Sequence, residues 1–280
     1  MAVPAQVPEF TLLIYGVMIA IVSILGGKVA EWVTLTHARV QILMSFISGF
    51  IISIAVGHLF PHSVTFMSGA QENSFEKASF WLLLGIVAMV FLLRMFHFHQ
   101  HEFPTDCAED RGAAREKSTP SPSINLWGVI LGLGLCTLVE GMTLGAALKA
   151  ELNSDRSLLW PGIGVFLAVI FHRPLDAYSI VSMMRTLGHG EGRRRLVNII
   201  FALLCPLMAL LSFWGLHFMD RENAREVIGC VLAFAGGTFL CIALSDLLPE
   251  IQSHRHDRIK LSAFFLGGVF LSYALHHLEH

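Results

Sequence analysis

The sequence predicts an all-α, polytopic membrane protein with eight transmembrane helices, and three observations support this fold class. Hydrophobic residues make up 54% of the chain and charged residues only 14%, whereas about a quarter of a soluble domain is charged. The mean hydropathy is +0.64. The apolar residues are gathered into runs of roughly 20, the length that an α-helix needs to cross the hydrocarbon layer. We therefore expect residues 1–280 to form a single transmembrane domain.

The eight apolar runs follow one another along the chain, and most of the connections between them are short. They are predicted at residues 11–33, 42–60, 79–96, 125–148, 159–184, 196–217, 227–247 and 260–277. The segment before the first run lacks the basic region of a cleaved signal peptide, so we interpret that run as a membrane span. Four of the five cysteines lie in apolar runs, which favours small buried thiols over disulfides.

The distribution of Lys and Arg predicts the orientation in the membrane. If the N-terminus faces outward, thirteen of the 19 basic residues fall on the inner side and five on the outer side, with Arg173 inside the fifth span. Cytoplasmic loops carry an excess of Lys and Arg. We therefore expect both termini outside and a location in the plasma membrane, which is the inner membrane in a bacterium.

The only long connection, residues 97–124, joins the third and fourth spans and is predicted to be a mobile cytoplasmic loop. It contains a mixed-charge run and two prolines, which are typical of segments without a packed core. Its imidazole and thiol side chains could bind a metal in the cytoplasm, although alternating histidines also suit an extended, solvated chain. These side chains belong to His97, His99, His101 and Cys107.

The fourth and fifth spans each carry two candidate metal ligands at helical spacing. Cys136 and Glu140 are four residues apart, as are His172 and Asp176, so each pair shares one face of its helix. Thiolate, carboxylate and imidazole groups bind borderline-soft divalent cations, and four of them form a tetrahedral Zn²⁺ site. Each pair lies roughly 15–20 Å into its span at 1.5 Å per residue. This depth predicts a metal site near the bilayer midplane, where transporters hold their substrates.

Two further pairs of candidate ligands lie at the ends of spans. The second span ends with a small residue, His58, two apolar residues, a proline and His62, and the seventh ends in the same pattern with Asp246 and Glu250. These four side chains are candidate pathway ligands for metal entry and release. The first pattern lies on the predicted outer side and the second on the inner side, as an inverted repeat of three helices would place them. Proline also simply ends helices, so the pattern alone leaves both interpretations open.

These motifs resemble the ZIP (Zrt/Irt-like) family of divalent-metal transporters. Residues 236–250 are similar to the seventh-span signature of that family, and residues 58–62 to its second-span ending. The resemblance implies inverted three-helix repeats around the fourth and fifth spans, a homodimer in many members, and movement of Zn²⁺ or similar cations toward the cytoplasm. It favours Glu140, His172 and Asp176 as metal ligands, with Cys136 at a position usually held by histidine.

The chain departs from the family pattern at two positions beside this site. Thr137 stands where the family usually has asparagine, and Arg173 where it usually has an acid. Related proteins with asparagine and an acid at these two positions can hold a second cation. The guanidinium of Arg173, in contrast, cannot be deprotonated and repels a divalent ion. We therefore expect a mononuclear site in which Arg173, near Thr137 and Cys205, replaces a second metal. An arginine that merely reaches a water-filled cavity is the alternative.

The sequence thus predicts transport of a divalent metal, most readily Zn²⁺ and also Cd²⁺, with no enzymatic activity and no nucleic-acid partner. The alternative from another class is an intramembrane zinc hydrolase, which needs a fixed metal with one open position and a nearby base. No span carries a zincin-type histidine motif, and the ligands recur at both ends of the spans, as a pathway requires. A metal sensor without flux is a third alternative.

Overall fold

The computed structural model describes residues 7–32, 37–67, 73–96, 122–152, 161–253 and 258–278. All regular structure in these ranges is helical, in agreement with the predicted fold class. The helices are α1 (Val7–Trp32), α2 (His37–Ile54), a π-helical segment (Ala55–Leu59), α3 (Phe60–Met67), α4 (Ser74–Phe96), α5 (Pro122–Leu152), α6 (Ile163–Thr186), α7 (Glu191–His217), α8 (Arg221–Ser253) and α9 (Arg258–Leu278).

Seven stretches of the described residues are long and apolar enough to cross a membrane, and α9 contributes a shorter apolar stretch, Ile259–Leu275. Each predicted span corresponds to one of these eight stretches. The second runs without a break through α2, the π-helical segment and α3, as Val40–Met67. Several helices extend past the predicted limits because polar residues can continue a helix where it leaves the apolar layer. The described residues therefore confirm a polytopic membrane protein with an apolar helical stretch at each predicted position, of which seven are long enough to cross a membrane.

The helices form two groups. In the first, α1 packs on α6 and α5 packs on α7; in the second, α2 packs on α9 and α4 packs on α8. Tyr15 of α1 stacks on Phe166 of α6 with ring centroids 4.1 Å apart. Ser45 of α2 donates a hydrogen bond to the carbonyl oxygen of Leu261 of α9. The first group contains both ligand-bearing helices, α5 and α6.

Glycines in the second group allow backbones to approach very closely. A Cβ at Gly49 would lie 2.1 Å from the carbonyl oxygen of Phe265, and a Cβ at Gly237 would lie 2.0 Å from that of Leu82. Any side chain at either position would collide with the neighbouring backbone, so these contacts require glycine. The α2–α9 and α4–α8 pairs therefore share the same construction.

This shared construction follows the inverted repeat. The numbering shift that carries Gly49 onto Gly237 also carries His58 onto Asp246. The same shift carries Phe46 onto Phe234, and both residues receive a glycine: a Cβ at Gly268 would lie 2.1 Å from the carbonyl oxygen of Phe46, and a Cβ at Gly85 would lie 2.1 Å from that of Phe234. Four backbone contacts thus match two by two, which favours a true repeat over prolines that simply end helices.

The glycines of α5 make a similar contact with a helix of the first group. In the structure, a Cβ at Gly141 would lie 2.5 Å from the carbonyl oxygen of Cys205, and one at Gly145 would lie 2.5 Å from that of Ala209. Both contacts are with α7. Helix α6 is instead approached by α1, where a Cβ at Gly26 would lie 2.4 Å from the carbonyl oxygen of Pro174.

Candidate metal centre

Three of the four metal ligands predicted in the spans meet where α5 and α6 face each other. They are Glu140, His172 and Asp176, whose ligand atoms all lie within 4.8 Å of one another. No other group of three or more potential ligands is this compact in the part of the chain that the structure describes. Glu140 lies near the middle of the span Leu126–Leu152 and His172 near the middle of Ile163–Thr186. The group therefore lies deep within the apolar part of the fold.

The ring of His172 is oriented by its own helix. Its Nδ1–H donates to the carbonyl oxygen of Ala168 at 2.6 Å. Because a carbonyl oxygen can only accept, Nδ1 carries hydrogen and Nε2 is the nitrogen suited to a metal. Nε2 lies 2.9 Å from Oε1 of Glu140 and 3.9 Å from Oδ2 of Asp176. Two ligands of one tetrahedral zinc ion lie roughly 3.3–3.5 Å apart, so small side-chain movements would allow these three to share an ion.

Arg173 binds the other side of the same carboxylate. Its guanidinium is fully buried and donates to Oε2 of Glu140 at 3.0 Å and to the hydroxyl of Thr137 at 2.5 Å. It also donates to the carbonyl oxygen of Phe201 at 2.9 Å and lies over the ring of that residue, 4.2 Å from its centroid. Arg173 therefore pairs with a carboxylate inside the spans and is not directed into a water-filled cavity, the alternative considered from the sequence.

Thr137 and Cys205, the other residues predicted beside Arg173, are both buried there. The hydroxyl of Thr137 donates to the carbonyl oxygen of Leu133 at 2.6 Å and accepts from Arg173. Cys205 of α7 is fully buried, one turn after Phe201, whose carbonyl oxygen accepts from Arg173. The structure therefore places the positive charge of Arg173 next to the candidate ligand group, with Thr137 and Cys205 nearby.

The structure does not bring the fourth predicted ligand, Cys136, into this group. Its Sγ lies 3.6 Å from Sδ of Met89 on α4, and both residues are buried. The four-residue spacing did place Cys136 one turn before Glu140, but successive residues at this spacing are rotated by about 40° around the helix. That rotation is enough for the thiol to contact a neighbouring helix. The sequence could not show this contact because Met89 belongs to another span.

The candidate pathway ligands of the second span lie at one end of the helix bundle. His58, in the π-helical segment, is buried, and its Nε2 lies 3.3 Å from Oε1 of Glu151 on α5. Nδ1–H of His62 donates to the carbonyl oxygen of His58 at 2.9 Å. The two histidine rings lie 4.3 Å apart between centroids.

Six further predicted ligands have side chains outside the described residues. Asp246 and Glu250 belong to α8, but their side chains lie outside the described residues. The loop ligands His97, His99, His101 and Cys107 also lie outside the described residues. Their predicted roles therefore stay predictions.

Glu151 is the residue that the sequence reasoning missed. An acid at the end of an apolar span resembles an ordinary solvated helix end, yet Glu151 is only 5% exposed. The available signal was its distance from Glu140, because eleven residues make about three full helical turns. The two acids therefore lie on the same face of α5, the face that carries the ligand group.

Comparison with known proteins supports the family resemblance. Residues 99–276, more than half of the chain, match the family model described as ZIP Zinc transporter. Zinc transporter ZIP9-B of Xenopus laevis is 30% identical over 200 residues, which cover 66% of this chain and 60% of that protein. Zinc transporter ZIP9 of Micropogonias undulatus is 29% identical over 201 residues, covering 70% and 59% of the two chains.

A more distant match is Zinc transporter ZIP10 of Danio rerio, which is 26% identical over 145 residues, or half of this chain. The matched region spans about 60% of the length of the ZIP9 relatives. These relatives come from vertebrates, so they give no support to the expected bacterial inner membrane. The apolar helices and the family match both indicate an integral membrane protein.

Proposed function

The chain belongs to the ZIP zinc transporter family, and we propose that it carries Zn²⁺ across a membrane through the centre formed by Glu140, His172 and Asp176. The observation that carries this proposal is the position of these three ligands, deep in two apolar spans and within 4.8 Å of one another. Ionisable groups at such depth are costly, and in membrane proteins they mark ion pathways. Carboxylate and imidazole ligands suit Zn²⁺.

We further propose that Cys136 completes the coordination sphere when the ion is bound. A change of its side-chain rotamer would exchange the sulfur contact with Met89 for a bond to the metal, since Cys136 lies one turn from Glu140 on α5. A thiolate among the ligands would extend the substrate range to Cd²⁺, which is softer than Zn²⁺. Cys136 and Met89 are both buried, so the thiol would exchange its contact with Met89 for the metal without passing through water.

We propose that the centre is mononuclear and that Arg173 supplies the positive charge beside it. Two carboxylates and one thiolate would balance the charge of Zn²⁺ and one guanidinium. Such a balance matters because an uncompensated buried charge costs several kcal/mol. The hydrogen bond of Arg173 to Oε2 of Glu140 leaves Oε1 directed at His172. Glu140 can therefore bind an ion with one oxygen while the other remains neutralised by arginine.

Direction and location extend this proposal. We propose that ions enter near His58 and His62 and leave near Asp246 and Glu250, moving toward the cytoplasm, with both termini outside and the protein in the plasma membrane. The excess of Lys and Arg on the side away from His58 and His62, the predicted cytoplasmic side, supports this orientation. We also propose a homodimer that uses the apolar face of α4, because α4 is the least buried of the seven candidate spans.

The intramembrane zinc hydrolase receives no support from the family match, whose members are described as zinc transporters. Uptake of Zn²⁺ into proteoliposomes tests the transporter directly, with protein-free liposomes as the blank. We expect uptake by the unmutated protein and its loss in Glu140→Gln, which keeps the size of the side chain but removes its charge. Metal binding without uptake would indicate a sensor and would contradict the proposal.

A further inference from the structure

Away from the central group, a second acid and histidine meet in a buried position at the His58 end of the bundle. Nε2 of His58 and Oε1 of Glu151 are 3.3 Å apart, and their side chains are 8% and 4% exposed. Two bonds of about 2.0–2.1 Å at a tetrahedral angle separate their ligand atoms by roughly 3.3–3.5 Å. The observed spacing of this ion pair therefore also suits two ligands of one zinc-sized ion.

Glu151 is held in place by the start of the next helix. The backbone N–H of Gly162 donates to Oε2 of Glu151 at 2.6 Å, and Gly162 is the residue before α6, with a positive φ of 74°. Its other oxygen, Oε1, is directed toward His58. One oxygen thus ties the carboxylate to the fold, and the other is positioned for an ion.

His58 is prepared for the same role by its unusual backbone. It lies in the π-helical segment Ala55–Leu59, and single π-helical turns inside α-helices are frequent at functional sites. Gly164 of α6 lies beside the ring, where a Cβ would make ordinary van der Waals contact with Nε2 of His58 at 3.8 Å. His62, one turn further along, lies against the His58 ring and is partly exposed. It is the member of this cluster through which an ion could reach the buried pair.

We propose that His58 and Glu151 form a separate binding site for a divalent cation, Zn²⁺ or Cd²⁺, that loads the central site. The pair joins the two helix groups. His58 lies between α2 and α3, on the side of the second group, and Glu151 belongs to α5 of the first group. Two protein ligands hold an ion more weakly than three or four, and conduction needs sites that are weak enough to release their ion. The loading role rests on the proposed transport function, whereas the binding site itself does not.

Crystals of the full chain soaked in Cd²⁺ test the site, since anomalous scattering locates each ion separately. We expect a cadmium peak between His58 and Glu151 in the unmutated protein and its loss in Glu151→Gln. The glutamine keeps an oxygen that can accept from Gly162, so the fold is retained while the charge is removed. His58→Ala should lose the same peak.

Two control variants distinguish this site from nonspecific binding of cadmium to histidine and from the central group. His217→Ala should keep the peak, because His217 is an exposed histidine at the same end of the bundle that contacts Lys149 rather than an acid. His172→Ala should lose the central peak and keep the peak at Glu151. A peak at the centre with none at His58 and Glu151 would overturn this inference alone. A peak at His58 and Glu151 with none at the centre would instead contradict the proposed central site.

Discussion

At the scale of single residues, the centre depends on a carboxylate that has two partners. Glu140 directs one oxygen to His172 and the other to Arg173. His172 is in turn fixed by Ala168, and the guanidinium is fixed by Thr137 and Phe201. Side chains whose rotamers are held in this way keep a metal site in its productive geometry.

Removing the guanidinium should therefore destabilise the protein strongly. We expect Arg173→Gln to lower the free energy of unfolding by about 3–5 kcal/mol, because it leaves Glu140 as a buried charge without its arginine. Arg195→Gln is the matched control, since Arg195 forms an exposed pair with Glu191 at 2.6 Å and such pairs contribute about 0–1 kcal/mol. Thermal unfolding in detergent measures both changes. Equal effects at the two positions would show that Arg173 does not stabilise the centre.

The proposed change in the side-chain rotamer of Cys136 should affect the selectivity between Cd²⁺ and Zn²⁺. Cys136→Ser should weaken Cd²⁺ transport more than Zn²⁺ transport, because the lost sulfur is the softest proposed ligand. Met89→Leu, which removes the sulfur contact but no proposed ligand, should leave the Cd²⁺ to Zn²⁺ ratio unchanged. Uptake of each ion into proteoliposomes gives the ratio. Equal losses for the two ions in Cys136→Ser would show that the thiol stays against Met89.

At the scale of helices, the second group is assembled by glycines that bring backbones into contact. The same contact occurs twice, at Gly49 against α9 and at Gly237 against α4. Because the two glycines are related by the inverted repeat, the α2–α9 pair and the α4–α8 pair pack through the same kind of backbone contact. The ligand-bearing helices α5 and α6 lie in the other group.

This symmetry predicts matched mutational effects. Gly49→Ala and Gly237→Ala should each lower the free energy of unfolding by roughly 1–3 kcal/mol, the usual effect of overpacking, and by similar amounts. Gly215→Ala on α7 is the control, because a Cβ there would meet no neighbouring atom within 4 Å. It should be neutral or slightly stabilising, since alanine favours a helix by about 1 kcal/mol over glycine. A large effect at only one of the two related positions would argue against equivalent packing.

At the scale of the whole molecule, the sequence predicts what depends on local pattern. Apolar runs predicted the spans, and four-residue spacing placed His172 and Asp176 on one face of α6. It could not predict contacts that depend on how helices are rotated against one another. The thiol of Cys136 meets Met89 rather than the ligand group, and Glu151 meets His58 from a different helix. Both contacts depend on tertiary packing, for which a single sequence contains no local signal.

The transport proposal depends above all on one ion binding among Glu140, His172 and Asp176 beside Arg173. Anomalous diffraction at the zinc absorption edge, from crystals of the unmutated protein grown with Zn²⁺, is the decisive measurement. We expect a single ion at the centre, about 2.0–2.2 Å from the nitrogen and oxygen ligands, with Arg173 still bonded to Glu140. Two ions side by side, or metal at other sites and none at this centre, would contradict the proposal.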